Sequence, residues 1–478
     1  MSAIQQVPIA VRDPHRFASV LSLDEYQELV ELIDLGSAML RDRVIWNVSS
    51  TTAGDGVAEL LRPLLGYCRG AGVDARWTVI SGGPEFATIA RRLHAMLHGV
   101  DGDGGDLGPE ERETYEHALA LNAAAFMRRV APHDVVILHD PPTAGLVQAV
   151  RATGASAIWR CHVGIDHPND CTARACDFVR PYVASADAYV FSRAQFAWDG
   201  LDHDKVYVIQ PSIDIFSPKN AHQSAEQSLA ILTGAGIISG PGGAEATFTR
   251  SSGSRARVEH TADMIEAQPL MPADRVVTQV CRWDVLKDPI GVLRGFAENV
   301  THDLGAHLLL AGPVSGAAGD EPDCTRVLAG VRALWSGLAP EVKRRVHLAA
   351  LPMDDTEENA AVVNALQRHS SVVVQKSLAE GFGLTVGEAM WKWKPVVASR
   401  IGGIQDQIVN GKSGVLLSDP CDRREFGAAV NGLLADDEQA RRMGAAAHER
   451  IQHNFLGPHQ LGRYFDLVSR LITQRVFV

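Results

Sequence analysis

At 380–388 the chain reads EGFGLTVGE, from Glu380 to Glu388. An apolar run at 371–375 precedes this segment and predicts a buried strand, and a helix is predicted to begin within it. Glycines let a ligand approach the backbone near a helix N-terminus, where N–H groups bind anions. The glutamates are eight positions apart and would not share one helix face, but with Glu380 in the loop both can meet one extended ligand. The alternative interpretation involves no ligand: Glu380 would be a capping residue, and Glu388 would be an exposed residue of the helix.

Strands and helices alternate on both sides of this segment. Strands are predicted at 44–48, 76–80, 135–139, 157–161, 188–191 and 206–210, and again at 276–281, 307–311, 346–350, 372–375, 396–399 and 414–417. Such alternation predicts an α/β fold of parallel sheets with helices on both faces. Two series of strands predict two facing Rossmann-like domains. Ligands bind at the carboxyl ends of strands in such sheets, so we expect the site in the cleft between the domains.

The domain limits follow from shifts in composition. Residues 1–215 are predicted as the first domain, with a helical lead-in over 1–42, and residues 216–455 as the second. Within the second, 219–270 contains Gly-Pro-Gly-Gly and Ser-Ser-Gly-Ser runs, which bury little apolar surface and predict a partly mobile insert. A helix at 456–478 is expected to return to the first domain.

Charge and composition exclude several classes of protein. The 478 residues carry a formal charge of −12, so a broad nucleic-acid-binding surface is not expected, although a local site for a small anion is allowed. No apolar run reaches the ~18 residues of a membrane span, and no secretory signal is visible. Of the seven cysteines only Cys171 and Cys176 lie close together, so we expect reduced thiols, no zinc site and a cytoplasmic protein without membrane partners.

Two cations follow the predicted strand at 276–281. Arg282 and Lys287 would sit at its carboxyl end, where a guanidinium fork and a point charge fit a diphosphate. The alternative is a solvated pair of cations beside Asp284 and Asp288.

Two further segments follow strands of the first half. The loop after 44–48 contains Gly54 and Gly56 and opens a helix, which suits an anion, although a plain turn is an equal alternative. After the strand at 157–161, His162, Asp166 and His167 have no second ligand cluster to support a metal. We therefore interpret His162 as a hydrogen-bond donor to a substrate.

These segments together resemble a known family. Glu380 to Glu388 matches the E-x7-E signature of retaining family 4 glycosyltransferases with the GT-B fold, and the spacing of Arg282 and Lys287 is similar to theirs. A narrower resemblance, to the trehalose glycosyltransferring synthases, rests on the segments at 44–59, 72–82, 158–162, 211–214 and 279–289. It covers most of residues 40–455, and the first 40 residues and 219–270 match less clearly.

The resemblance implies a retaining glucosyltransferase that joins glucose from a nucleotide-diphosphate-glucose to free glucose, giving α,α-trehalose. Arg282 and Lys287 would hold the donor diphosphate, and Glu388 the ribose hydroxyls. Glu380 would hold donor glucose and phosphate together with the backbone N–H groups of Phe382, Gly383 and Leu384. His162 would contact the donor sugar near its O6, and the Gly54–Gly56 loop would close on the diphosphate. Weaker expectations for the acceptor are Trp46, Asn47, Asp55 and Arg76.

Neither a cofactor nor a metal is required in this interpretation, and no residue cluster implies a Mg²⁺ site. The expected partners are small molecules, with a homodimer compatible with the family. Three alternatives stay open: the same donor chemistry with a sugar phosphate, a glucan or a natural product as acceptor; a non-catalytic regulator that binds sugar nucleotides; and an oxidoreductase, which the missing GxGxxG motif disfavours.

Overall fold

The computed structural model describes residues 4–52, 56–240, 244–314 and 322–476. The chain forms two compact units. Unit 1 contains the described residues up to Ser212, together with Glu380–Phe382 and those from Phe455 onward, and unit 2 contains those of Ile213–Ala379 and Gly383–Asn454. The chain therefore leaves unit 1 and re-enters it twice.

Unit 1 is built on a seven-stranded sheet with the order β1-β3-β2-β4-β5-β6-β7. Its strands are β1 (Ile4–Val7), β2 (Val44–Ser49), β3 (Asp74–Ile80), β4 (Val135–His139), β5 (Ser156–Cys161), β6 (Ala188–Phe191) and β7 (Val206–Val208). The described strands pair in parallel except for β1, which runs antiparallel to β3. The predicted parallel sheet is confirmed, with one antiparallel edge.

Unit 2 has a second seven-stranded sheet, with the order β10-β13-β12-β11-β14-β15-β16, and a separate β8-β9 pairing. Its strands are β8 (Thr247–Thr249), β9 (Arg255–Arg257), β10 (Asp263–Ile265), β11 (Arg275–Val280), β12 (Ala306–Pro313), β13 (Val346–Leu351), β14 (Val372–Gln375), β15 (Val396–Ser399) and β16 (Val415–Leu417). In the large sheet β10 runs antiparallel to its neighbour β13, and the other described pairings are parallel.

Helices connect the strands as the alternation predicts. In the first half they are α1 (Leu23–Met39), α2 (Gly56–Gly70), α3 (Pro84–Leu97), α4 (Pro109–Phe126), α5 (Val147–Ala152) and α6 (Asp170–Val183). The second half has α7 (Ala225–Gly234), α8 (Pro289–Asn299), α9 (Pro322–Ser336), α10 (Pro340–Lys343), α11 (Thr356–His369), α12 (Leu384–Trp391), α13 (Ile404–Gln407), α14 (Arg423–Ala435), α15 (Asp437–Asn454) and α16 (Gly457–Val476). Within the described residues, no helix combines the length and the apolar character that crossing a membrane requires.

The segment predicted as a helical lead-in contains a strand as well as a helix. Helix α1 begins after Ser22, whose hydroxyl accepts from Glu25 N–H while the Glu25 carboxylate accepts from Ser22 N–H, a capping box that satisfies two orphan donors. Residues Ile4–Val7 form strand β1 instead of a helix. The edge of β3 supplies backbone partners to β1, so tertiary pairing decides the conformation of this short segment.

Helix α16 covers one face of the unit 1 sheet. Leu467, Val468 and Leu471 pack in one buried cluster with side chains from β2, β4, β5 and β6. Gln460 accepts a hydrogen bond of 2.7 Å from the Ser212 hydroxyl. The core of unit 1 is therefore completed by residues that follow unit 2 in the chain.

Candidate active site

In unit 2, Arg282 and Lys287 lie in the loop that follows β11. The Arg282 side chain is half exposed, and its Nη2 is 3.4 Å from Asp284 Oδ2. Lys287 ends a short 3-10 turn that Asp284 caps by accepting from Leu286 N–H at 2.8 Å. Both cations thus follow directly on the carboxyl end of a parallel strand, the end where such sheets bind ligands.

The backbone around Lys287 is held from two sides. The buried Gln279 side chain, on β11, donates to the Lys287 carbonyl at 2.7 Å. Leu378 N–H, in the loop after β14, donates to the Leu286 carbonyl at 2.7 Å. The loop is therefore anchored both to the strand that precedes it and to the neighbouring strand end.

Asp288 fixes the end of the same loop. It takes a left-handed conformation, with φ at 48°, and caps α8 by accepting from Gly291 N–H at 2.9 Å. Its second oxygen pairs with the ammonium of the buried Lys376. These contacts anchor the end of the loop that carries Lys287.

Glu388 is a buried carboxylate of unit 2. It lies in the second turn of α12 and is 2% exposed. Its Oε1 is 3.0 Å from Lys219 Nζ, whereas its Oε2 has no hydrogen-bond partner among the described residues. A buried carboxylate oxygen without a donor is costly. A ligand hydroxyl is the kind of group that would satisfy it.

The loop before α12 explains the glycines of the 380–388 segment. Gly383 caps α12 with φ at 83°, a conformation that residues with a Cβ rarely adopt. A Cβ on Gly381 would lie 2.8 Å from the carbonyl oxygen of His162. Glu380 is half-buried in unit 1, and Phe382 packs against Phe455 in the same unit. The first turn of α12, from Leu384, leaves backbone N–H groups without acceptors inside the helix.

In unit 1, His162 follows β5 and belongs to a chain of buried polar side chains. Its Nε2 is 3.0 Å from His139 Nδ1, and His139 Nε2 is 3.0 Å from Asn47 Oδ1. The two imidazoles stack with their centroids 5.3 Å apart. The backbone N–H of His162 donates to Asp140 Oδ1 at 2.7 Å. The structure therefore brings together Asn47 and His162, which the sequence suggested separately.

Both imidazoles of this chain are neutral at pH 7. Burial lowers the pKa of His139 to about 3 and the pKa of His162 well below its ordinary value. The guanidinium of Arg160 lowers both pKa values further. Arg160 is fully buried, and its Nη2 is 3.3 Å from the Ser192 hydroxyl.

Other predicted residues lie elsewhere or outside the described residues. Trp46 is buried and donates to Asp134 at 3.0 Å, and Arg76 pairs with Asp74 and stacks over the Trp46 ring. The structure does not bring these two together with His162. Gly56 begins α2, whereas Gly54 and Asp55 lie outside the described residues. Among the residues described, no three His, Cys, Asp or Glu side chains are grouped as a metal site.

Sequence reasoning missed several side chains that shape these two regions. His139 and Asp140 lie at the end of β4, as His162 follows β5, so the rule that ligands meet the carboxyl ends of strands would have found them. Lys219 and Lys376 gave no comparable signal. Their contacts with Glu388 and Asp288 join segments that are distant in the chain.

The two sheets of mostly parallel strands define the class of this protein. An α,α-trehalose-phosphate synthase (UDP-forming) from Burkholderia vietnamiensis has a similar structure, with a TM-score of 0.66 at 13% identity over 91% of this chain and 99% of that one. The family "Glycosyl transferases group 1" matches residues 356–450. The chain is a glycosyltransferase with the GT-B fold.

The comparison of sequences gives the particular family. The family "Trehalose synthase, N-terminal domain" matches residues 47–198. The trehalose synthase of Thermococcus litoralis is 32% identical over 94% of this chain and 96% of its own length. That of Pyrococcus horikoshii is 30% identical over 98% of this chain and 99% of its own length. The chain belongs to the trehalose synthase family.

Proposed function

We propose that this protein is a retaining glucosyltransferase that transfers glucose from a nucleotide-diphosphate-glucose to free glucose and forms α,α-trehalose. The observation that carries the proposal is the buried Glu388, whose Oε2 has no partner among the described residues, in the same unit as Arg282 and Lys287. A hydroxyl acceptor and two cations are what a sugar nucleotide needs. Membership of the trehalose synthase family supports the product.

The donor is proposed to bind largely to unit 2. Arg282 and Lys287 hold the diphosphate, and Glu388 accepts the ribose hydroxyls. Glu380 and the N–H groups of Phe382, Gly383 and Leu384 hold the glucose and the adjoining phosphate, because helix N-termini stabilise anions. Trp46 is buried and Arg76 pairs with Asp74, and their weaker acceptor roles stay part of the proposal.

On unit 1, His162 is proposed to contact the transferred glucose. This histidine is half-buried, and its ring is fixed by His139. Gly56, at the start of α2, is proposed to bind the donor.

The proposed chemistry proceeds without a protein nucleophile. The bond between the glucose C1 and the β-phosphate oxygen breaks, and positive charge develops on the sugar while negative charge develops on the diphosphate. Arg282 and Lys287 stabilise that leaving charge, each by about 2–4 kcal/mol. The anomeric hydroxyl of the acceptor glucose attacks C1 from the leaving-group side, and its proton passes to a diphosphate oxygen. The products are trehalose and a nucleoside diphosphate.

Incubation with radiolabelled glucose donors tests the reaction. UDP-, ADP- and GDP-glucose are each supplied with glucose, and we expect a labelled disaccharide that has no reducing end and is cleaved by trehalase. Lys287→Ala should abolish turnover while the circular dichroism spectrum and unfolding midpoint persist. Lys343→Ala, on α10, is the matched control.

Two outcomes would overturn the proposal. A labelled product with a reducing end would contradict trehalose formation and favour another acceptor, which a panel of sugar phosphates and glucans would identify. Absence of turnover with every donor, despite their binding, would favour a non-catalytic sugar-nucleotide-binding protein.

A further inference from the structure

Hydrogen bonds link His162 to His139 and His139 to Asn47, and the donor and acceptor of each can be assigned. In the structure the Asn47 amide turns Oδ1 to the ring, and with this orientation His139 donates to it from Nε2. A neutral imidazole carries one N–H, which leaves His139 Nδ1 as an acceptor. His162 Nε2 lies 3.0 Å from that atom and must therefore donate. His162 is neutral too, so its Nδ1 carries a lone pair rather than a proton.

The Nδ1 atom of His162 is available to a ligand. No described residue forms a hydrogen bond with this atom. The atom is also not fully buried. A lone pair on Nδ1 would make His162 an acceptor at this atom, in contrast to the donor role expected from the sequence.

We propose that Asn47 and His139 are positioning residues that fix the tautomer of His162, so that His162 Nδ1 accepts a hydrogen bond from a hydroxyl of the substrate sugar. This inference rests on the proposed function for the identity of the ligand. It requires the sugar position that meets His162 to carry an O–H group. A fluorine or a phosphate ester at that position offers no proton to Nδ1.

The charged groups around the chain are consistent with a neutral pair. Arg160, in β5, is a cation whose field opposes protonation of both rings. Asp140 is turned to the backbone of His162, where its Oδ1 accepts the N–H at 2.7 Å. The Asp140 carboxylate therefore fixes the backbone position of His162, while Asn47 and His139 fix its ring.

Nuclear magnetic resonance of the whole protein, labelled with ¹⁵N in histidine, tests the tautomer directly. His162→Gln assigns the signals. We expect a protonated Nε2 and an unprotonated Nδ1 for His162 in the wild type and in Asn47→Asp, because a carboxylate can only accept from His139. Asn47→Leu removes the acceptor and should give a mixture of tautomers. A wild-type His162 protonated at Nδ1 would overturn the inference, whether or not the protein makes trehalose.

Kinetics separate positioning from a merely structural role. Asn47→Leu should lower kcat/KM at least about fivefold, the effect of one misdirected hydrogen bond, and should have little further effect in a His162→Ala background. A structural role would cost the same factor in both backgrounds. Asn47→Asp should retain more activity than Asn47→Leu.

A buried hydroxyl beside the chain offers a matched control. Thr143 Oγ1 donates to the His139 carbonyl at 2.9 Å rather than to either ring. Thr143→Val should therefore leave the His162 tautomer unchanged. If Asn47→Leu and Thr143→Val change the tautomer and kcat/KM equally, the assignment of Asn47 as a positioning residue fails.

Donor analogues test the required O–H group. The wild type should discriminate against a 6-deoxy-6-fluoro glucose donor, and His162→Ala should lose most of that discrimination. Equal discrimination in both proteins would place His162 away from the 6-hydroxyl. Failure of the proposed function would appear differently, as the absence of turnover with the unmodified donor.

Discussion

Glu388 shows what one buried charge can contribute to ligand binding. Its carboxylate is held by Lys219 through one oxygen, and the other has no donor among the residues described. We expect Glu388→Gln to raise the donor KM by about tenfold or more, because a hydrogen bond to a charged acceptor is worth about 1.5–3 kcal/mol. Steady-state kinetics at varied donor concentration measure the change.

The control for this prediction is Glu438→Gln, which removes an exposed carboxylate on α15. The donor KM of that variant should match the wild type. Equal donor KM values for Glu388→Gln and Glu438→Gln would contradict the role proposed for Glu388.

His139 links the site to the pH dependence of stability. Its pKa falls from 6.5 to about 3 on folding because the ring is buried. Between these pH values the unfolded chain binds more protons than the folded one, so the neutral ring favours unfolding increasingly as pH falls from about 6.5 towards 3. We expect His139→Gln to flatten the decline of unfolding free energy over that range.

Urea denaturation at a series of pH values provides the measurement. His117→Gln, which removes an exposed histidine from α4, is the control. The prediction is wrong if the two variants and the wild type lose stability in parallel between about pH 6.5 and the lowest pH at which they fold.

The residues of the site differ in how far the sequence reveals them. Arg282 and His162 could be placed at strand ends because a short apolar run and the residue after it are local features. The pairing of Glu388 with Lys219 depends on how distant segments pack, which no local pattern encodes. The roles of all these residues stay predictions until the variants are measured.

At the scale of the element, Gly383 determines where α12 can begin. Its φ of 83° penalises any residue with a Cβ by about 1–2 kcal/mol. We expect Gly383→Ala to lower the unfolding free energy by about that amount and to weaken donor binding, because the N–H groups of the first turn would shift. Denaturation and donor titration measure the two effects.

Gly432 provides the contrast, since it lies within α14 and a Cβ there meets no atom within 4 Å. Gly432→Ala should be neutral or stabilising by up to about 1 kcal/mol. A loss of stability in Gly432→Ala as large as that in Gly383→Ala would contradict the explanation from φ.

Most strands could be predicted because they are short, apolar and buried. The strands at 135–139 and 188–191 have the predicted bounds. Strands β1, β8, β9 and β10 are not among the predicted strands. Each has four residues or fewer, and each lies at a sheet edge in an antiparallel pairing. Their conformation comes from the neighbouring strand, so their own sequence carries little signal.

For the whole molecule, the path of the chain predicts which fragments fold. Residues 1–215 alone would lack α16, which covers Ile45, Val135 and Ile158. We expect this fragment to aggregate or to bind a hydrophobic dye, because a sheet face would be exposed. Joining residues 455–478 through a flexible linker should restore a monomer with cooperative unfolding.

Leu467→Asp within the joined segment is the control, since Leu467 is almost fully buried in that cluster. The control should behave like the shorter fragment. A monomeric, cooperatively unfolding fragment of residues 1–215 would show that α16 is dispensable for unit 1.

The position of α16 also affects how the protein emerges from the ribosome. Ile209 and Leu467 share one buried cluster, yet all of unit 2 is encoded between them. At a translation rate of about 5–20 residues per second, α16 is synthesised roughly 10–50 s after the sheet face that it covers. During that interval the nascent chain displays an apolar surface that only later synthesis can cover. We therefore expect ribosome-associated chaperones to bind the chain between translation of β7 and release of α16.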